Sequence, residues 1–580
     1  MPAHNEDIAA AFDEIADLLE IENANPFRVR AYRNAALTLR GLPQQVARWV
    51  AENRELEELP GIGESLAKKI REFLLTGHLK ALDKLHREVP PSVEALLKIP
   101  GLGPKRVRQL YLQAGVRSVD DLEQAARSGK LLELPGFGEK SVARILAALA
   151  SHRTKKKRFI RAFARQYAEP LRNWLKQAKG VDQVVIAGSY RRGRDTVGDI
   201  DVLATARTGN TVIERLVEYD EVASIVSRGG TRATVVLKCG LQVDLRVVAK
   251  RSFGAALQYF TGSKAHTIQI RRLAQERGIK INEYGVFRDG KTIAGLTEES
   301  VYKAVALAWI PPELREARGE IEAARKHRLP KLIEPGDLKG DLHCHTLASD
   351  GKADIETMAK TARAQGLEYL AITDHNHNLR IVRGIDASNL LAQIDEIDRI
   401  NEKLRGVHIL KGIEVNILEN GQLDLDDDIL CRLDLVVASV HSHYALSRRK
   451  QTERVLRAMD SRCFSILAHP TGRRLTKQPR YDIDMGRVTQ QAADRGCFLE
   501  LNANPGRLDL DDVNCMAARE AGILVSINSD AHSPEQFQRL ADGVTQARRG
   551  WLTPGDVLNA RPLEQLRALL KRTMLRDQVA

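Results

Sequence analysis

The sequence predicts a multidomain chain: α-helical N-terminal domains, a central α+β domain and a C-terminal α/β barrel. Three observations carry that expectation. A Pro-Gly-x-Gly turn recurs three times between helical patterns in the first 150 residues. An apolar run closing on Gly188-Ser189 is followed by Asp199-Ile200-Asp201, and residues i and i+2 of a strand share a face. Beyond residue 337, seven short β-type runs alternate with helical patterns, which suits a parallel barrel. A chain of 580 residues is too long for one core.

Composition bounds the partners. Lys and Arg total 89 against 76 Asp and Glu, a net charge of +13 that favours a polyanion. Aromatic residues make up only 5%, which argues against base stacking along an extended single strand. The six cysteines (239, 344, 431, 463, 497 and 515) have no CxxC spacing, so reduced thiols without a structural zinc finger are expected. MPAHNEDIAAAF is not a signal pattern, and no apolar stretch reaches membrane-spanning length. A soluble, cytoplasmic, nucleoid-associated protein with no membrane partner is the expectation.

From the N-terminus, Ile8 to Glu22 and the segment after Asn25-Pro26 have helical spacing. Leu59-Pro60-Gly61-Ile62-Gly63, Ile99-Pro100-Gly101-Leu102-Gly103 and Leu134-Pro135-Gly136-Phe137-Gly138 then each separate two helical patterns. Glycine allows the tight turn and the close approach of a phosphate. The following helix start offers free N–H groups and a positive dipole end. This is the helix-hairpin-helix pattern, which holds a DNA backbone without reading sequence. Gly61, Gly63, Gly101, Gly103, Lys105, Gly136, Gly138 and Lys140 are the candidate DNA contacts. A single such turn is usually a helix cap; three copies with basic helix starts are not. The run His152 to Arg158 adds a basic stretch whose binding should be salt-sensitive.

The central domain holds GSYRRGRDTVGDIDVL, residues 188–203, and a later strand pattern, LQVDLRV, that places Asp244 beside Asp199 and Asp201. Clustered carboxylates require a cation, and magnesium favours such oxygen ligands. With the Gly-Ser turn and Arg191 and Arg192, the set suits transfer of a nucleotidyl group from a triphosphate. Together these residues resemble the family X DNA polymerases, the group containing eukaryotic polymerase beta. The resemblance implies a nucleotidyltransferase palm with Asp199, Asp201 and Asp244 as catalytic metal ligands for Mg²⁺ or Mn²⁺. It also implies Ser189 and Arg192 as triphosphate contacts and Gly198 beside the incoming dNTP. YFTGS, residues 259–263, resembles the family's sugar-checking turn, with Tyr259 and Phe260 against the deoxyribose and Gly262 allowing close approach. Arg271 matches a template-side arginine, whereas Lys264 and Thr267 depart from polymerase beta. Lys264 is expected to strengthen nucleotide binding. LPGIGESLAKKIREFLLTGHLKALDKL resembles polymerase beta's small N-terminal domain, which carries a Schiff-base lyase lysine. That lysine falls on Lys69 and its tyrosine on Tyr32, but Ser65 and Ala81 replace supporting lysines.

In the C-terminal part, the runs GDLHCH, YLAITDH, HILKGIEV, LDLVVASVH, FSILAHP, CFLELNAN and ILVSINSD place His343, His345, Asp350, His375, Glu414, His441, His469, Asp530 and His532 at or near strand ends. Parallel barrels build their sites there. Nine donors exceed the needs of one ion, and mixed imidazole and carboxylate ligands suit zinc, manganese or iron. The constellation resembles the PHP (polymerase and histidinol phosphatase) domain, a (βα)7-type barrel. Its trinuclear site implies up to three Zn²⁺ or Mn²⁺ (or Fe) ions.

The expected boundaries are 1–85 and 86–155 for the helix-hairpin-helix domains, 156–250 for the palm and 251–318 for a nucleotide-selecting subdomain. A linker over 319–337 and a PHP domain over 338–575 complete the chain. The implied function is gap filling on gapped or primer-template DNA in base excision repair or end joining, by a monomer. The PHP domain would supply a 3′–5′ exonuclease, with 3′-phosphatase or abasic-site cleavage as extensions. The alternative is a DNA 3′-end phosphoesterase whose palm binds nucleotide without synthesis; Asp244 and YFTGS oppose it.

Overall fold

The computed structural model describes the whole chain apart from residues 1–4, 23, 43–45, 53, 90, 100–101, 140, 144, 147–148, 150–157, 207–208, 377–383, 477–479 and 575–580. It divides into two compact units, Met1–Lys157 and Arg158–Ala580.

The first unit is helical. Asn5–Ile21 and Pro26–Gly41 pack through Ile8, Phe12, Ile15 and Leu39, all almost fully buried. Asn25 caps the second helix by accepting from Phe27 N (2.9 Å), and Pro26 occupies its first turn, where a missing N–H costs nothing. Helices Glu64–Thr76 and Pro104–Gln113 begin immediately after Gly63 and Gly103. Ile62, Leu102 and Phe137, the central residues of the three turns, are buried and pin each turn onto its helices.

The second unit opens with a five-stranded sheet ordered Val181–Ile186, Asp199–Ala206, Gln242–Val248, Arg232–Leu237 and Val222–Arg228. Asp199–Ala206 and Gln242–Val248 run parallel; their other neighbours run antiparallel. Helices Arg161–Lys176 and Gly209–Val217 contribute Ala168, Leu171, Val212 and Ile213 to the core beneath it. Helices Phe253–Thr261 and Lys264–Gln275 follow, with a three-stranded sheet. Residues 319–337 contain the helix Glu320–Arg325, whose Ile321 and Ala324 join the same apolar cluster as Val301 and Tyr302.

The last part forms seven parallel strand positions. Gly340–Cys344, Tyr369–Ile372 and His408–Lys411 make one sheet. Glu414–Asn416, Val437–Ser439, Ile466–Leu467, Phe498–Asn502 and Val525–Asn528 make the other. His408–Lys411 and Glu414–Asn416 are halves of one strand position broken at Gly412, where a Cβ would press on Thr373 and the Ile372 carbonyl. His345 N donates to Ala531 O (2.8 Å), linking the last strand position to the first. Helices lie between successive strands, as right-handed parallel crossovers require.

One expectation is corrected. The reduced-thiol reading fails for Cys431 and Cys463, which are joined in a disulfide with a Cα–Cα distance of 5.7 Å. Cys431 follows the short helix Asp427–Leu430 and Cys463 precedes the strand Ile466–Leu467, so packing of neighbouring strand positions unites them. Their separation of 32 residues leaves no local cysteine motif to read. Among the described residues no helix is long and apolar enough to cross a membrane.

Candidate functional site

The parallel pair at the centre of the first sheet sets the palm residues. Its register places Asp201 opposite Asp244 and Asp199 opposite Gln242. Ile200, Val202, Val243 and Leu245 alternate into the core, which turns the acids to the other face. Burial, then the charges of Asp199 and Asp244, push the Asp201 carboxyl up to about 7. A divalent cation is the group that such a set fits, because it removes the mutual repulsion. Gly188 has φ +59°, and a Cβ there would collide with Asp201 Oδ2, so the turn has no room for a side chain.

Two supporting residues were not found from sequence. Thr234 Oγ1 donates to Asp244 Oδ1 (2.5 Å) and Gln242 Nε2 to Asp244 Oδ2 (2.7 Å). Strand register sets Thr234 opposite Asp244, whereas Gln242 shares the face of Asp244 two residues earlier on the same strand.

Ser189 lies in the one-turn helix Gly188–Arg191, and Gly198 directly precedes the strand of the acids. Arg192 donates Nη1 to Thr261 O (2.5 Å) and Nε to Glu316 Oε1 (3.1 Å). Burial alone would raise Glu316, but the guanidinium groups of Arg549, Arg192 and Arg194 hold its carboxyl down at about 2. Arg191 is committed elsewhere: it grips both oxygens of buried Glu298 (2.8 and 2.7 Å). Tyr259 and Phe260 end the helix Phe253–Thr261, half-buried, with ring centroids 5.1 Å apart. Arg271 lies 5.2 Å from the Tyr259 ring and donates Nε to Ile281 O (3.1 Å). Gly262, at φ +66°, closes that helix, and exposed Lys264 starts the next.

In the barrel, the nine predicted donors converge. His345, Asp350, His375 and His532 form one group, His343, His345 and Asp530 a second, and His375, Glu414 and His441 a third. Within each, the ligand atoms lie within 4.8 Å of one another. His469 joins them through Nε2, 3.0 Å from Glu414 Oε1. His343 Nε2, both ring nitrogens of His345 and His375 Nδ1 are buried and make no aligned hydrogen bond, although carboxylate oxygens of Glu414 and Asp530 stand 2.8 Å from His375 Nδ1 and 3.3 Å from Nε2 of His343 and of His345. Orphaned polar atoms at one focus are costly unless something else satisfies them, and metal ions fit that donor set. Burial and the neighbouring histidines lower His345 to about 4, keeping it neutral and free to donate a lone pair. His469 and Asp530 carry positive φ (29° and 51°), backbone strain concentrated on two of the donors.

Glu500, also missed in the sequence, is fully buried behind this cluster. Its Oε1 lies 2.7 Å from His343 Nδ1 and its Oε2 accepts from His469 N (2.7 Å). That orients His343 with Nε2 toward the cluster, the usual arrangement behind a ligating histidine. The cavity over the cluster, about 450 Å³, is also lined by Tyr444, Arg474, Asn504, Arg507 and Ile160.

In the first unit, Gly63, Gly103, Gly136 and Gly138 present open backbone, where a Cβ would meet nothing; Gly61 (φ +79°) and Gly136 (φ +83°) need the left-handed conformation. Lys105 belongs to the helix Pro104–Gln113, whereas Gly101, Lys140 and the basic run 152–157 lie outside the described residues. Lys69 Nζ donates to Ser65 Oγ (3.1 Å) on its own helix, and Tyr32 packs edge-on to Phe12.

Comparison with known proteins covers nearly the whole chain. A protein named DNA polymerase/3′-5′ exonuclease PolX, from Bacillus subtilis (strain 168), is 38% identical over 573 residues, 98% of this chain and 100% of that protein. The chain belongs to the family X DNA polymerases. Family models match in order along it: a helix-hairpin-helix domain at residues 3–79, a SAM-like helix-hairpin-helix tandem at 93–151 and a DNA polymerase beta palm at 158–238. A DNA polymerase beta thumb follows at 256–316 and a PHP domain at 341–504. Shorter proteins match part of this family X chain. A probable phosphatase of Thermoanaerobacter sp. (strain X514) is 30% identical over 230 residues, 38% of this chain and 89% of that protein. Another, from Syntrophotalea carbinolica, is 32% identical over 229 residues, 38% of this chain and 90% of that protein.

Proposed function

We propose that the chain is a DNA-directed DNA polymerase that fills short gaps, with a metal-dependent 3′–5′ exonuclease in its PHP barrel. The pairing of Asp201 with Asp244, with Asp199 two residues away on the same face, supports the first activity most directly. The nine-donor focus over an open cavity supports the second.

At the palm, Asp199, Asp201 and Asp244 hold Mg²⁺ or Mn²⁺, which when bound supplies positive charge to the reacting phosphates. Thr234 and Gln242 keep the Asp244 carboxylate aimed at that position. Ser189 and Arg192 grip the triphosphate of a dNTP, and Gly198 leaves room beside it. Tyr259, Phe260 and the backbone at Gly262 stand against the sugar and disfavour a 2′-hydroxyl, while Lys264 adds charge at the nucleotide. In the barrel, His343, His345, Asp350, His375, Glu414, His441, His469, Asp530 and His532 hold up to three Zn²⁺, Mn²⁺ or Fe ions, which when bound activate water and neutralise a phosphodiester. Arg474 and Arg507 give the cavity a basic wall for the substrate phosphate. The glycine-rich hairpins carry the DNA backbone through their open amides. A monomer acting in the cytoplasm on gapped DNA, in base excision repair or end joining, is the setting this chemistry fits. Lys69 stays a candidate lyase nucleophile.

The test uses a one-nucleotide gap and a recessed 3′ end with Mg²⁺ or Mn²⁺. Asp199→Ala/Asp201→Ala should abolish synthesis and spare 3′ degradation; His343→Ala/His345→Ala should do the reverse. Primer extension by the palm variant at the wild-type rate refutes the polymerase reading. Degradation that survives the histidine variant refutes the barrel assignment.

A further inference from the structure

The turn carrying Ser189 and Arg192 is held from behind by the barrel. Arg549, the last residue of the helix Leu540–Arg549, donates Nη1 to the backbone carbonyl of Arg192 (2.8 Å) and to Glu316 Oε1 (3.0 Å). Its Nη2 donates to Asp512 Oδ2 (2.5 Å), which also accepts from Arg318 Nη1 (2.9 Å). The Arg549 side chain is only 2% exposed. Glu316 Oε1 is therefore shared between Arg549 and the side chain of Arg192. One residue on, Gly193 has φ +68°, and a Cβ there would collide with Thr545 of the same barrel helix. Two further on, Asp195 Oδ2 accepts from Arg473 Nη1 of the barrel (3.1 Å).

The arrangement bears on how Arg192 reaches a ligand. Its Nε and Nη1 are engaged by Glu316 and Thr261, so a triphosphate that draws on this guanidinium competes with a carboxylate that is itself largely buried. A buried carboxylate stripped of its partner is strongly disfavoured. Arg549 removes that obstacle, because it keeps a bond to the same Glu316 oxygen while Asp512 fixes its own position.

We propose that Arg549 is a positioning residue for nucleotide binding at the palm, anchoring the main chain of the 188–195 turn and serving as the standing counter-ion of Glu316. The nucleotide site is thus completed by a residue of the PHP barrel. This rests on the reading of Arg192 as a triphosphate contact.

The test is steady-state gap filling by the full chain, with 3′–5′ exonuclease measured on the same preparation. Arg549→Met should raise the dNTP KM about tenfold, with kcat within about twofold and exonuclease unchanged, the pattern of lost ground-state binding. Arg549→Lys, which keeps the charge but not the fork, should fall between. Glu316→Gln in the Arg549→Met background removes the stranded carboxylate and should recover part of the loss, a rescue that mere structural damage would not allow. An unchanged KM in Arg549→Met, an equal loss of both activities, or no rescue overturns the proposal. Arg192→Ala separates the two readings: if it leaves KM unchanged, the triphosphate role and the proposal fall together. If it raises KM while Arg549→Met does not, the proposal alone falls.

Discussion

Asp201 shows how one side chain couples proton and metal. Its carboxyl, raised to about 7 by burial and by Asp199 and Asp244, stays protonated in the folded chain where an unfolded one has ionised. The folded state thus binds the extra proton between the ordinary aspartate value, about 4, and about 7. Stability without metal accordingly falls as pH rises through that window and levels off above it. A divalent ion must displace the same proton. Mn²⁺ affinity at the palm should therefore be about tenfold weaker at pH 6 than at pH 8, since one proton competes with a pKa near 7. Titration followed by electron paramagnetic resonance, in a His345→Ala/His375→Ala variant that takes a ligand from each of the three barrel groups, reads this directly. Equal affinity at the two pH values would show that no proton on Asp201 competes with the metal, and the raised carboxyl would fall. The acids themselves were legible, because Asp-x-Asp on a strand states its geometry locally. Of their supports, Thr234 was not, because only cross-strand register brings it to Asp244; Gln242, two residues before Asp244 on its own strand, carried the local signal and was overlooked.

At the scale of elements, the barrel uses strand ends as its organising device. Six of the seven apolar runs carry candidate donors at or near their ends, and CFLELNAN carries none of the nine, so the runs and the candidates that converge were readable from neighbouring residues without coordinates. Glu500 escaped because Leu499-Glu500-Leu501-Asn502 alternates as a half-exposed strand does, so the acid reads as solvent-facing although Phe498–Asn502 is buried at every position. The Cys431–Cys463 bridge escaped for a related reason: it joins two strand positions through packing. The missed acid has a measurable role. Glu500→Gln keeps the shape but weakens the hold on His343 Nδ1 and on the His469 backbone. Metal retained by the barrel against a chelator should fall about 10- to 100-fold, the range for such supporting partners. Exonuclease should fall with it, while gap filling on the same sample stays within error. Undiminished metal content in Glu500→Gln would show that the histidine needs no such support.

Across the whole second unit, the palm, the thumb and the barrel share their contacts closely enough to act as one body. Asp542 of the barrel accepts from Arg161 Nη2 (2.6 Å) and from Arg165, Arg548 reaches Glu313 (2.8 Å), and Arg473 reaches Asp195. Met516 and Trp551 of the barrel sit in one apolar cluster with Val301 and Tyr302, and Ile160 of the palm side lines the barrel cavity. Asp542, with its side chain 6% exposed, is the most enclosed of the acids at this junction. Burial lowers the pKa of Arg161, and Asp542 opposes that fall, so the pair is held by mutual need rather than by surplus attraction. Removing one partner of such a pair leaves a charge facing low dielectric and costs about 3 kcal/mol. In calorimetry of the full chain, residues 158–580 should melt as one cooperative transition, and Asp542→Ala should lower that transition and split it in two. Each catalytic half would then unfold at its own temperature while both activities persist below the first. A single unshifted transition in Asp542→Ala would mean that the junction is an incidental contact, and that the apolar cluster alone unites the synthetic and degradative halves.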